Sequence, residues 1–291
     1  MSDPLIFGTV GAPSSTPPKP GGSPGAIARI KQLGLGALEL AWVQSVSATD
    51  ATCAAIQAAS QTHGVALSVH APYFINLNAH ADMWPAGRER LMKAARAGFK
   101  AGATDIVFHP GSYFGQPPKL VYRIMLDRLA GVVAELRAEG NTVTLRPETT
   151  GKSAMFGTLE ETVQMARDID GVLPCIDMAH LHARRGDGSF NSYDEFLDAL
   201  KLVAAGLGER GLRRLHIHAS GIEYGPKGER NHLMLQEADL KYRDLLRALK
   251  DIGAAGRVLC ESPDQEADAI RLQRAYRRMV GKKPAGKKPA A

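Results

Sequence analysis

The sequence predicts an α/β fold, a single-domain (β/α)8 TIM barrel. Short apolar segments rich in β-branched residues alternate with longer segments of helical period along most of the 291 residues. Eight such strand-then-helix units are the number that closes a barrel of parallel strands. The alternative, an open doubly wound sheet, normally has a glycine-rich phosphate-binding turn after its first strand. Residues 11–24 contain no such turn at the required spacing.

The elements are predicted in turn from their local composition. Strands are expected at 5–10, 37–42, 66–70, 105–109, 142–148, 172–177, 213–219 and 257–262, where apolar and β-branched residues cluster. Helical periodicity predicts helices at 24–34, 48–62, 84–101, 118–139, 158–169, 193–206, 239–252 and 264–279. Gly64, Gly102, Gly140 and Gly253 follow four of these helices and fit left-handed C-terminal caps.

We predict a catalytic barrel at residues 1–280 and a basic, disordered tail at 281–291. Residues 271–291 contain four Arg, four Lys and no acidic residue, so they carry +8 in a chain of net charge +6, and the rest carries −2. A basic segment rich in Pro, Ala and Gly is typical of a flexible arm that meets a polyanion. A purely solubilising tail is the equally open alternative.

Several features point to a cytoplasmic protein, associated with the nucleoid if its partner is DNA. The chain has no run of about 18 apolar residues, and MSDPLIFGTVGAP lacks the basic start and apolar core of a signal peptide. Cys53, Cys175 and Cys260 are odd in number and form no CxxC pair, so we expect reduced core thiols. We predict no membrane contact and no obligate protein partner.

Side chains that can bind metals fall at the ends of the predicted strands. On strands three to eight these are His70, His109, Glu148, Asp177, His216 and Glu261, and His180 follows in CIDMAH. The C-terminal ends of barrel strands converge on one mouth, where active sites are built. Singly, each residue has a structural interpretation. Glu148 could pair with Arg146, for example, and Asp177 could cap the segment that follows it.

Together these residues predict a metal centre. Clustered carboxylates repel one another, and cations relieve that repulsion. Mixed nitrogen and oxygen ligands suit Zn²⁺, with Mn²⁺ or Fe²⁺ as alternatives. Six or more ligands exceed the needs of one tetrahedral zinc, so at least two metals are expected. Such paired metals are suited to displacement at phosphorus.

Five segments form a set in a fixed order: HAPYFINL (70–77), FHPGSYFG (108–115), RPETTGKSAMFGTLEE (146–161), CIDMAH (175–180) and CESPD (260–264). In combination they resemble the endonuclease IV family of apurinic/apyrimidinic (AP) endonucleases, within the xylose-isomerase-like barrels. The resemblance implies a DNA repair enzyme with three metal ions, usually zinc. It would hydrolyse the phosphodiester 5′ to an abasic site in double-stranded DNA and leave a 3′-hydroxyl.

The resemblance also implies a role for each position. Its assignments are His70 and His109 for the first metal, Asp177, His216 and Glu261 for the second, Glu148 as a bridge between both, and His180 for the third. Glu148 and Glu261 would be catalytic residues, the latter by helping to deprotonate the attacking water. Tyr73 matches a residue that enters the DNA near the lesion, although an aromatic that merely packs beside Pro72 is an open alternative.

Two segments depart from the family pattern. ERNH (229–232) stands where the family has Asp-Arg-His-His, so Glu229 keeps the carboxylate but Asn231 replaces a histidine. Because an amide oxygen is a poor zinc ligand, we predict His180, Glu229 and His232 around a third metal, either Zn²⁺ or a harder ion such as Mn²⁺. Asn231 and His218 remain alternatives to His232. WVQSVSA, after strand two, lacks the arginine that the family inserts into DNA.

Two other functions compete with the nuclease. A sugar isomerase or epimerase of the same superfamily would hold one divalent metal with Glu148, Asp177, His216 and Glu261. It would not need the three further histidines at 70, 109 and 180 or the acid and imidazole in 229–232. A non-catalytic DNA-binding module would need basic side chains rather than a carboxylate cluster. The surplus of ligands therefore favours the nuclease.

Overall fold

The computed structural model describes residues 5–281, in which strands and helices alternate as predicted. The strands are β1 (Leu5–Val10), β2 (Ala37–Ala41), β3 (Ala66–His70), β4 (Asp105–Phe108), β5 (Thr144–Pro147), β6 (Ile176–Asp177), β7 (Leu215–Ala219), β8 (Gly221–Gly225), β9 (Gly228–Leu233) and β10 (Gly256–Cys260). The helices are α1 (Gly22–Gln32), α2 (Asp50–His63), α3 (Trp84–Lys100), α4 (Pro118–Ala138), α5 (Leu159–Asp168), α6 (Met178–Ala183), α7 (Tyr193–Arg213), α8 (Tyr242–Asp251) and α9 (Glu266–Val280).

Eight of the strands form one parallel sheet that curls into a barrel. Their order is β5-β4-β3-β2-β1-β10-β7-β6. The two edges of this sheet meet through parallel bridges between Leu145 and Val172 and between Glu148 and Cys175. The predicted (β/α)8 TIM barrel is therefore confirmed, and the C-terminal ends of its strands share one mouth.

The structure adds two elements that the sequence did not predict. Helix α6 follows β6 directly, and Asp177 caps it by accepting a 2.7 Å hydrogen bond from the His180 backbone N–H. Strands β8 and β9 form an antiparallel hairpin in the segment expected to be a loop. Helix α7 extends past its predicted end because helical geometry resumes after Gly208, whose φ is 63°.

The apolar core lies between the sheet and its helices, whereas much of the barrel interior is polar. Near the N-terminal ends of the strands, buried Asp105 lies 2.6 Å from Arg146 Nε and 3.3 Å from Arg257. Arg146 also donates to the Pro174 carbonyl at 2.8 Å. The alternative pairing of Arg146 with Glu148 is therefore wrong, because this arginine points to the opposite end of the barrel from the mouth.

Two sequence predictions touch the ends and surface of the chain. No helix within residues 5–281 is long and apolar enough to cross a bilayer. The predicted tail at 281–291 lies outside the described residues except for Gly281, so its boundary and its disorder stay predictions. The three cysteines are buried and unpaired, as expected for core thiols.

Candidate metal centre at the mouth of the barrel

The first group of ligand-type side chains comes from three neighbouring strands. His70 ends β3, and His109 and Glu148 directly follow β4 and β5. The Nε2 atoms of His70 and His109 lie 3.2 and 3.0 Å from the same oxygen of Glu148, Oε2. His70 Nδ1 is 3.0 Å from the Ala71 carbonyl, which fixes the ring so that Nε2 faces the carboxylate.

The second group lies on the other side of Glu148. Single ligand atoms of Glu148, Asp177, His218 and Glu261 all lie within 4.8 Å of one another. His218 Nδ1 is 3.0 Å from Glu148 Oε1 and 3.4 Å from Glu261 Oε1. The two carboxylate oxygens of Glu148 thus face different groups, which is the arrangement expected of a bridging ligand.

The structure corrects the choice of histidine on β7. His216 was expected in the second group, but its Nε2 instead lies 2.9 Å from Glu39 Oε2, deeper in the barrel. His216 and His218 both point inward because side chains two residues apart share a strand face. His218 is closer to the C-terminal end of the strand, so it is the histidine that reaches the mouth.

The third group joins α6 to the unpredicted hairpin. Asp177, His180 and His232 offer ligand atoms within 4.8 Å of one another. Glu229 Oε2 lies 3.2 Å from His180 Nε2, while His180 Nδ1 is 3.0 Å from the Thr149 carbonyl. The structure thus brings together the three residues that the sequence predicted for a third metal.

Within the hairpin, Asn231 and His232 point to opposite sides. Asn231 is exposed, and its side-chain amide donates to Glu223 Oε2 at 3.2 Å. His232 is held by Ser220, whose Oγ lies 2.7 Å from Nδ1, and its Nε2 lies 3.6 Å from Glu261 Oε2. The alternation of strand side chains therefore turns the imidazole, and not the amide, toward the mouth.

The pKa values of the groups at the mouth are set by burial and by the charges of neighbouring side chains. Burial raises the pKa of Asp177 to about 6, against the charge of His180. Burial alone would lower the pKa of His70, but its hydrogen bond to Glu148 raises that pKa to about 9. Burial would raise the pKa of Glu148, yet the charges of His218 and His109 hold it well below its usual value.

The side chains present fit divalent cations. Asp177 Oδ2 and Glu229 Oε2 are buried and form no hydrogen bond within the described part of the chain. Leaving such atoms unpaired costs about 1–3 kcal/mol each, and more for charged groups. A mouth that gathers imidazoles and carboxylates with unused lone pairs is therefore suited to Zn²⁺ or a similar ion.

Two further residues complete the site. Tyr73 is half-exposed and stands over the first group, with its ring centroid 5.5 Å from that of His70 and 5.4 Å from that of His109. It lines an open cleft of about 330 Å³, together with His232 and Glu261. Glu39, which sequence reasoning missed, is wholly buried beneath the mouth. A lone acidic residue inside the apolar strand ALELA was the available signal.

Comparisons with known families agree with this fold. A family model described as xylose isomerase-like TIM barrel matches residues 27–279. An uncharacterized protein of Methanocaldococcus jannaschii is 38% identical over 273 residues, which is 94% of this chain and 97% of that protein. A probable endonuclease 4 of Geobacillus sp. is 31% identical over 179 residues. That match covers 58% of this chain and 57% of the relative, little more than half of its length.

Solved structures give the same architecture at lower sequence identity. Endonuclease IV of Thermus thermophilus superposes with a TM-score of 0.69 at 21% identity, covering 94% of this chain and 99% of that one. A D-tagatose 3-epimerase-like protein superposes with a TM-score of 0.68 at 18% identity, covering 95% of this chain and 98% of that one. At these identities the likeness establishes the fold, and the choice of chemistry rests on the site.

Proposed function

The chain belongs to the xylose isomerase-like TIM barrel family, and we propose that it is a metal-dependent endonuclease that cleaves DNA at abasic sites. The observation that supports this proposal is the presence of three overlapping ligand groups, which share Glu148 and Asp177. One zinc ion binds about four ligands, so this set exceeds what a single ion requires. Sites with two or more cations suit displacement at phosphorus. The similarity to proteins called endonuclease 4 supports the same assignment.

We propose that the centre holds three ions, with Zn²⁺ as the expected occupant and Mn²⁺ as an alternative in the third position. The proposed ligand sets are His70, His109 and Glu148 for the first ion, Glu148, Asp177, His218 and Glu261 for the second, and His180, Glu229 and His232 for the third. When bound, such ions supply an activated hydroxide and stabilise charge on the leaving oxygen.

The side chains of the mouth would bind and orient the substrate around those ions. Glu261 lines the cleft and lies beside His218, whose charge holds the pKa of Glu261 below its usual value against the effect of burial. It would therefore be ionised at neutral pH and able to accept a proton from the attacking water at Oε2. Tyr73, at the edge of the cleft, would contact the sugar-phosphate backbone beside the missing base.

The proposed reaction is hydrolysis of the phosphodiester on the 5′ side of the abasic nucleotide. Water adds to phosphorus, and the bond between phosphorus and O3′ of the preceding nucleotide breaks. The products are a 3′-hydroxyl on one fragment and a 5′-phosphate on the abasic sugar. An abasic nucleotide stacks poorly, so turning it out of the duplex toward a recessed site costs less than turning out a normal nucleotide.

A sugar epimerase is the second candidate, because Glu148, Asp177, His218 and Glu261 would hold one divalent cation without the other groups. The fold likeness to a D-tagatose 3-epimerase-like protein is compatible with it. This interpretation gives no role to the two histidines beside Glu148 Oε2 or to the hairpin residues Glu229 and His232. We therefore favour the nuclease.

Incubation with end-labelled duplexes tests the proposal. Metal-loaded protein should cleave a duplex with one abasic site and leave the matched intact duplex uncut, and prolonged treatment with chelator should stop the reaction. Glu148→Gln and Glu261→Gln should each abolish cleavage, while Glu223→Gln, which alters an exposed carboxylate paired with Arg230, should keep it. Epimerisation of a ketohexose without any DNA cleavage would support the second candidate instead.

A further inference from the structure

Glu39 occupies the centre of the barrel, one layer below the proposed metal ligands. It lies on β2, points inward and is wholly buried. Its Oε2 accepts hydrogen bonds from Ser68 Oγ at 2.7 Å and from His216 Nε2 at 2.9 Å. Because two donors from β3 and β7 converge on one oxygen, they fix the rotation of the carboxylate and leave Oε1 for another partner.

That remaining oxygen lies directly beneath a proposed ligand. Glu39 Oε1 is 3.1 Å from His218 Nε2, and both atoms are buried without a hydrogen bond within the described residues, so each is the nearest group available to the other. The opposite nitrogen of the same ring, Nδ1, faces Glu148 at 3.0 Å. Two other histidines at the mouth, His70 and His180, are held from behind by the backbone carbonyls of Ala71 and Thr149. His218 has a carboxylate in that position instead.

We infer that Glu39 is a positioning residue for the metal centre: it accepts the Nε2 proton of His218 and so turns the Nδ1 lone pair toward the mouth. A carboxylate behind a ligating imidazole fixes the tautomer and raises the basicity of the ligand. Ser68 and His216 hold Glu39 in turn, which accounts for two inward-facing histidines on one strand. The inference rests on the proposed metal centre but does not require that its substrate be DNA.

The substitution Glu39→Gln separates this role from simple packing. Ser68 and His216 would donate their hydrogen bonds to the amide oxygen, because both approach the same side of the residue 39 side chain. The amide NH2 would then face His218 Nε2 and favour the tautomer with the proton on Nδ1, directed at Glu148. Metal affinity should fall about 10–100-fold. Glu39→Ala, which removes the misdirected donor together with the carboxylate, should weaken metal binding less than Glu39→Gln does.

The test is a competition between the protein and a chromophoric chelator for Zn²⁺, followed by thermal unfolding of the metal-free proteins. The order of affinities should be wild type, then Glu39→Ala, then Glu39→Gln, even though the amide preserves the shape of the core better. A purely structural role predicts the reverse order of the two variants and overturns the inference. Asp268→Asn, another buried carboxylate, is the matched control and should keep wild-type metal affinity.

Two further measurements cover the remaining outcomes. If the Glu39 variants do not fold, Ser68→Ala should still lower metal affinity by a smaller factor, and unchanged affinity overturns the inference. Cys175, His216 and His218 also offer ligand atoms within 4.8 Å of one another. A thiolate charge-transfer band in the Co²⁺ protein that disappears in Cys175→Ser would show an ion bound at this level, and would likewise overturn it. Absence of DNA cleavage by the metal-loaded wild-type protein, with the expected order of metal affinities among the variants, would instead count against the proposed nuclease alone.

Discussion

The hairpin β8–β9 allows a sharp test of the third metal position, because it places two neighbouring side chains on opposite faces. His232 points to the mouth and is held by Ser220, whereas Asn231 is exposed and bonds Glu223. We predict that His232→Ala removes the third ion, while Asn231→Ala leaves all three in place. The two substitutions lie in the same strand, so each controls for general disturbance of the hairpin.

The magnitude follows from the number of contacts that each side chain makes. His232 would be one of three protein ligands. Loss of a residue that is hydrogen-bonded to a metal ligand already lowers metal affinity about 10–100-fold. Loss of the ligand itself should therefore lower metal affinity by at least about 100-fold, or about 2.7 kcal/mol. Asn231→Ala loses one exposed hydrogen bond, which contributes about 1 kcal/mol or less to stability and nothing to metal binding.

Elemental analysis of the purified proteins after gel filtration measures this directly. Wild type and Asn231→Ala should carry three ions per chain, and His232→Ala should carry two. Cleavage by His232→Ala should fall and should recover partly when Zn²⁺ or Mn²⁺ is added in excess. Three ions and full cleavage in His232→Ala would refute the assignment and return Asn231 to consideration.

Three other predictions concern the rest of the chain. Asp105→Asn leaves Arg146 and Arg257 without their buried partner, so it should lower the free energy of unfolding by about 3–5 kcal/mol in denaturant titrations. The control Asp198→Asn, which breaks an exposed ion pair, should lower it by less than about 1 kcal/mol. Burial would raise the pKa of Asp105, but those arginines hold that pKa well below its usual value. The stabilisation from this carboxylate is therefore present above about pH 4 and is lost as the pH falls through the folded-state pKa. Acid titration of the unfolding free energy of wild type against Asp105→Asn measures this loss. Truncation after Gly281 removes four lysines and should reduce the salt slope of DNA binding by about three to four with turnover at saturating DNA unchanged; an unaltered slope would make the tail a bystander.

The sequence allowed the fold and most of the site to be predicted because both depend on short-range patterns. Apolar, β-branched strands alternating with helical periods define the eight units, and strands three to eight each carry a ligand-type residue at or near the C-terminal end. Convergence of the strand ends then brings His70, His109, Glu148 and Glu261 together without any knowledge of contacts. Asp177 and His180 follow in the same way from β6 and the turn after it.

Two of the failures, those at His216 and Glu39, have a common physical cause: strand alternation gives the direction of a side chain but not its depth. His216 and His218 face the same way, and only the register of β7 in the closed barrel decides which one reaches the mouth. Glu39 was missed for the same reason, because the apolar strand around it does not show how close its side chain lies to the mouth. The hairpin was missed because its polar segment, with Glu229 and His232, lacks the apolar alternation that marks a strand.

The chemical nature of the cleaved end tests the central claim most directly. Protein stripped with chelator and reloaded with Zn²⁺ would be incubated with a duplex containing one abasic site, and the nicked strand would then be offered to a DNA polymerase. We expect that only the reloaded protein nicks the duplex and that the polymerase extends the new 3′ end without further processing. A nick that appears without metal, or a 3′ end that blocks extension, would contradict hydrolysis on the 5′ side of the abasic site.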